Sequence, residues 1–71
     1  MMKTKIKILG LIVKNTRKKQ GLTQEQLAAT SEVGVRFIRD LEKGKESCQV
    51  GKAIHVLAML GLDIKIGNEK L

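Results

Sequence analysis

Proline, tryptophan and tyrosine are absent from this sequence, and cysteine, histidine and phenylalanine occur once each. A lone Cys48 cannot close an intramolecular disulfide, and one Cys with one His falls short of a structural zinc site. With no proline to stop a helix, that task falls to glycine. Acid is missing from the N-terminal part: no Asp or Glu precedes Glu25, whereas Lys3, Lys5, Lys7, Lys14, Arg17, Lys18 and Lys19 do. Long apolar runs are lacking too. The six residues Ile8 to Val13 end at Lys14, short of the ~7–15 residues of a secretory hydrophobic region, and no small-residue cleavage site follows. Nothing approaches the ~20 apolar residues of a membrane span. The unpaired Cys48 fits a reducing compartment, so the expected location is the cytoplasm.

What is present is one small, basic domain. Seventy-one residues support a single core that is marginal without a staple, so dimerisation is an expected source of further buried surface. Fourteen Lys and Arg against seven Asp and Glu give a net charge of +7. Such an excess favours polyanions, because neutralising phosphates releases condensed counterions. Charge alone does not choose among DNA, RNA and an anionic membrane.

Residues 1–8 read as a basic arm and residues 9–61 as a helical domain. Helix 1 is expected from about Leu9 to Gln20, stopped by Gly21. Thr23 then caps helix 2 (Gln24 to Thr30), and Gln26 completes a capping box. After a turn at Ser31-Glu32, helix 3 runs from about Gly34 to Lys43 and stops at Gly44. A loop from Lys45 to Gln49 leads to helix 4, about Val50 to Leu60, stopped by Gly61. The tail, residues 62–71, changes period: Leu62-Asp63-Ile64-Lys65-Ile66 alternates apolar and polar, a strand pattern. A single strand leaves its backbone groups unsatisfied. Pairing with its own copy across a two-fold axis, through Leu62, Ile64 and Ile66, is the simplest remedy. A frayed tail, or pairing with the alternating Lys5-Ile6-Lys7-Ile8, are the other readings.

The strongest signal lies in residues 22–45. Two short helices are separated by a tight turn, with Leu27, Val33, Ile38 and Leu41 where they must face each other and small Ala28 at their crossing. This is the spacing of a helix-turn-helix, whose second helix enters the major groove of DNA. The motif Gly21-Leu22-Thr23-Gln24, Leu27-Ala28, Val33, Ile38, Leu41-Glu42, Gly44-Lys45 resembles the Cro/C1-type (Xre) family of lambda-like repressors. The resemblance covers roughly residues 9–61. It implies an all-α fold of four to five helices, here with a short C-terminal strand pairing across a dimer. Two positions depart from the pattern: Glu32 stands at the usual turn glycine, where αL geometry is unfavourable for it, and Gly34 at the usual Ser or Thr N-cap. A narrower likeness, over Val33 to Lys45, Cys48 to Lys52 and Leu60-Gly61-Leu62, is to the HipB-like antitoxins. It implies a homodimer that represses its own operon and partners a HipA-like kinase toxin. The alternative is a stand-alone phage or restriction-modification regulator of the same fold.

On helix 3, Val35, Arg36 and Arg39 fall opposite Ile38 and Leu41. Arginine suits guanine O6 and N7, and Val35 a thymine methyl. Asp40 either accepts from cytosine or holds an Arg in place. Phe37 reads as cover over helix 4, not as an intercalator. Gln24 opens helix 2, where free N–H groups favour a phosphate; the resemblance adds a side-chain grip on the backbone. Lys43, Gly44 and Lys45 follow helix 3 as further phosphate contacts, the bare glycine allowing close approach. Lys18 and Lys19 read as a solvated face. The resemblance also implies an ion pair between Arg17 and Glu42.

Enzymatic readings fail on spacing. Gly44 to Lys52 is not a phosphate-binding loop, because its glycines are too far apart and Ala53 stands where Ser or Thr is needed. No Ser, Thr or Cys has a plausible base except mid-helix His55, and no carboxylates pair at catalytic spacing. No cofactor and no metal are expected. The expected partner is double-stranded DNA carrying a palindromic operator.

Overall fold

The structure is a computed structural model and describes residues 2–46, 49–63, 65–66 and 69–70. Helices α1 (Met2–Lys19), α2 (Gln24–Ser31), α3 (Val35–Glu42) and α4 (Val50–Met59) follow in chain order. A two-residue antiparallel pair ends the chain, β1 (Lys65–Ile66) with β2 (Glu69–Lys70), in the register Lys65 with Lys70 and Ile66 with Glu69. The domain is all-α apart from this short pair.

The core takes side chains from every helix. Val13 of α1, Leu27 and Ala28 of α2, Ile38 and Leu41 of α3, and Val56 and Leu57 of α4 are buried, joined by Leu60 just beyond α4. Burying each large apolar side chain is worth about 1.5–3 kcal/mol. Leu22, Val33, Val35, Phe37 and Leu62 pack around this cluster, half-buried. Helix α3 lies against both α1 and α2.

Helix α1 starts at Met2 instead of near Leu9, so the expected basic arm is helical. The reason is a stripe the alternating lysines conceal: half-buried Ile6, buried Gly10, Val13 and Arg17 recur at helical spacing and face inward. Lys5 to Ile8 therefore spend their backbone groups on the helix and form no ladder with the tail. Gly10 sets the distance between α1 and α3. A Cβ there would lie 2.4 Å from the Leu41 carbonyl oxygen and 2.7 Å from that of Glu42.

All four helices end in the same doubly bonded turn, which satisfies carbonyls the helix itself leaves free. After α1, Gly21 N–H bonds Lys18 O and Leu22 N–H bonds Arg17 O; after α3, Gly44 and Lys45 bond Leu41 O and Asp40 O. After α4, Gly61 bonds Ala58 O and Leu62 bonds Leu57 O. These glycines have φ of 71°, 75° and 79°. After α2 the bonds run from Glu32 to Ala29 O and from Val33 to Ala28 O, so Glu32 occupies the glycine position with φ 57° and ψ 40°.

The last of these turns corrects the tail. Leu62 was expected to open the strand, but its N–H closes the α4 terminus and its side chain packs on its own core. Among the described residues Lys65–Ile66 pairs with Glu69–Lys70 of the same chain, while Ile64 lies outside the described residues.

Three substitutions carry expected outcomes in urea or thermal unfolding. Gly10→Ala should destabilise by about 1–3 kcal/mol despite alanine's better helix propensity, because the carbonyls of α3 must move. Gly51→Ala in α4, where a Cβ meets nothing within 4 Å, should be neutral or stabilise by up to ~1 kcal/mol. Glu32→Gly should raise stability by about 0.5–1 kcal/mol, relief of αL strain outweighing the looser unfolded chain.

Candidate nucleic-acid interface

The site begins where α1, α2 and α3 meet. Arg17 donates from Nε to Glu42 Oε2 at 2.7 Å and from Nη2 to Oε1 at 3.0 Å, a two-pronged pair with both side chains buried. Its Nη1 donates to the Leu22 carbonyl at 2.8 Å, which holds the turn leading into α2. The hydrogen bonds that Arg17 donates to Glu42 raise the pKa of Arg17 further, the carboxylate charge adds to them, and desolvation opposes both. A raised arginine pKa keeps the cation charged at every pH where the fold is studied. Its contribution fades only as pH climbs beyond the ordinary arginine range.

Thr23 caps α2. Its Oγ1 accepts from Gln26 N–H at 3.0 Å, and Gln26 Oε1 accepts from Thr23 N–H at 2.8 Å. Gln24, first in α2, is half-buried and donates from Nε2 to Glu42 Oε1 at 3.2 Å. The α2 N-terminus is thereby tied to the α3 C-terminus, an arrangement no local sequence signal shows. Across the core, Gln20 Nε2 donates to Leu60 O at 2.8 Å and joins the ends of α1 and α4.

Helix α3 buries Ile38, Leu41 and Glu42 and turns Arg36, Arg39 and Lys43 to solvent. Val35 lies on the flank, half-buried against the core. Asp40 is half-buried, and Arg39 is held by Glu25 of α2 instead, at 3.6 Å with both side chains exposed. An exposed pair of this kind is worth under ~1 kcal/mol and gives way readily to a stronger anion. Phe37 covers the α3–α4 junction with Lys52 Nζ 5.9 Å from its ring centre. Exposed Lys43 and Lys45 flank the end of α3.

Gly44 departs from its expected role. It is buried, its N–H is spent on Leu41 O, and the place of its missing Cβ is filled by Lys7 of α1. Glycine is required here for the approach of α1. Periodicity misses this, because Lys7 and Gly44 are far apart in sequence. The candidate site residues thus fall into exposed cations (Arg36, Arg39, Lys43, Lys45) and a frame of buried Arg17 and Glu42 with half-buried Gln24 at its edge. A basic, exposed, convex rod resting on a fixed frame can enter a groove and donate hydrogen bonds to base edges and phosphates.

Comparison with known proteins agrees with this geometry. The helix-turn-helix family pattern matches residues 13–65. The chain is also 48% identical over 58 residues to an uncharacterized HTH-type transcriptional regulator, y4mF, of Sinorhizobium fredii, covering 82% of this chain and 76% of that protein. Among the described residues, no helix is long and apolar enough to cross a membrane.

Removing one partner of the buried pair leaves the other charge uncompensated. Glu42→Ala should therefore cost about 3–5 kcal/mol in chemical unfolding, against about 1 kcal/mol for Gln24→Ala, which loses one hydrogen bond.

Proposed function

The chain belongs to the helix-turn-helix family, and on that premise we propose that it is a sequence-specific DNA-binding repressor whose α3 reads the major groove. The observation that carries this is the outward face of α3. Arg36, Arg39 and Lys43 are exposed while Ile38, Leu41 and Glu42 of the same helix are buried. Arg36 and Arg39 are the base-reading residues, with Val35 and Asp40 at their edges. Gln24 and the α2 N-terminus, with Lys43 and Lys45, bind the sugar–phosphate backbone.

The protein acts as a homodimer. Support comes from the apolar surface one copy leaves open, with Val50 62% and Met59 42% exposed on α4. Two copies present two recognition helices to successive major grooves of a palindrome, ~34 Å apart. The finer reading, a HipB-like antitoxin that represses its own operon and binds a HipA-like kinase, rests on the resemblance over residues 33–45, 48–52 and 60–62. A complex with such a kinase from the native host would support it, and a lone homodimer there would count against it.

Selection of binding sites from random DNA tests the main reading. An inverted repeat should emerge, and the absence of any enriched sequence would overturn it. On the selected site Arg36→Ala should cost ~1–3 kcal/mol and on mixed DNA little; equal loss on both would reduce Arg36 to a phosphate contact.

A further inference from the structure

The first part of α1, before Val13, lies outside the family match. It is nevertheless fastened to the trailing end of α3. A Cβ on Gly44 would sit 2.7 Å from Lys7 Cα, 2.7 Å from Lys7 Cγ and 3.0 Å from Lys7 N. Adding one carbon–carbon bond places the two Cα atoms about 4 Å apart. Consecutive Cα atoms are ~3.8 Å apart, so Lys7 Cα lies within about 8 Å of those of Lys43 and Lys45. All three lysines are exposed. Among the described residues none of them is in an ion pair, and the nearby Glu42 carboxylate is buried and neutralised by Arg17.

Three exposed lysines rooted on so small a patch of backbone make the local potential positive, which favours an adjacent polyanion. We propose that Lys7 is a DNA phosphate-binding residue, contributed by the extension of α1, which with Lys43 and Lys45 clamps one strand of the duplex beside the recognition helix. The assignment rests on the DNA-binding reading above and deepens it. It gives the N-terminal extension a role: Gly10 and Gly44 hold this stretch of α1 close to α3, so Lys7 moves with α3 as a rigid unit. A flexible arm would lose entropy on binding that this helix has already lost on folding.

The test is equilibrium binding to a mixed-sequence duplex about three helical turns long, measured across a salt series. Wild type is compared with Lys7→Met, Lys7→Arg and Lys19→Met. Methionine keeps the apolar stem that packs on Gly44 and removes the charge, and Lys19 is an exposed control at the far end of α1. Thermal unfolding checks that each variant is folded. Lys7→Met should lower the slope of log K against log salt by about 0.9, the signature of one lost phosphate contact. Lys7→Arg should keep the wild-type slope, and so should Lys19→Met. A steep wild-type slope that Lys7→Met leaves unchanged overturns this assignment alone, as does an equal fall in the Lys7→Met and Lys19→Met variants. A wild type without salt-dependent binding overturns the DNA-binding reading, and this one with it.

Discussion

The Arg17–Glu42 pair governs the geometry on which everything else rests. One guanidinium serves the carboxylate of α3 with two nitrogens and the Leu22 carbonyl with a third, and Gln24 completes the carboxylate's shell. Buried ion pairs contribute little net stability compared with well-packed apolar residues of the same volume. Their value lies in geometry, because hydrogen bonds of fixed direction tolerate few arrangements. Here those directions link the last turn of α1, the turn into α2, the first residue of α2 and the last residue of α3. Helix α3 is oriented from its C-terminal end.

Close packing supplies the second constraint. Gly10 brings the backbone of α1 against the carbonyls that end α3, and Gly44 brings it against the turn that follows. A domain of this size has little core to spare, so it orients its helices through short-range backbone contact and identical terminal turns. Ser31 shows that the solution is not perfect: its Oγ is buried with no hydrogen-bond partner among the described residues. Glu32, one residue on, holds a conformation that glycine adopts without strain. Both blemishes lie in the turn between the two helices of the motif.

Much of this was legible in the sequence where the determinant is local. Gly21, Gly44 and Gly61 mark helix ends because glycine adopts a positive φ at least cost, and Thr23 with Gln26 announces a capping box because both bonds span one turn. The start of α1 was hidden. Lys5-Ile6-Lys7-Ile8 alternates like a strand, and only the burial of Ile6 and Gly10 against α3 reveals the helical stripe. Arg17 and Glu42 were paired through resemblance, since nothing local joins residues on different helices. Gln24 with Glu42, Glu25 with Arg39, and Lys7 with Gly44 carry no signal before the helices are assembled. Leu62 is ambiguous in sequence because its apolar side chain fits a strand pattern as well as the closing turn of α4 that it occupies.

The proposed role of α3, reading bases in the major groove with its outward face, is open to a direct test by methylation interference on a selected binding site. Guanine N7 lies in the major groove and adenine N3 in the minor groove. Methylating N7 of guanines within each half-site should abolish binding, while methylating adenine N3 there should leave it intact. Binding that ignores N7 methylation, or fails only on N3 methylation, would contradict that role.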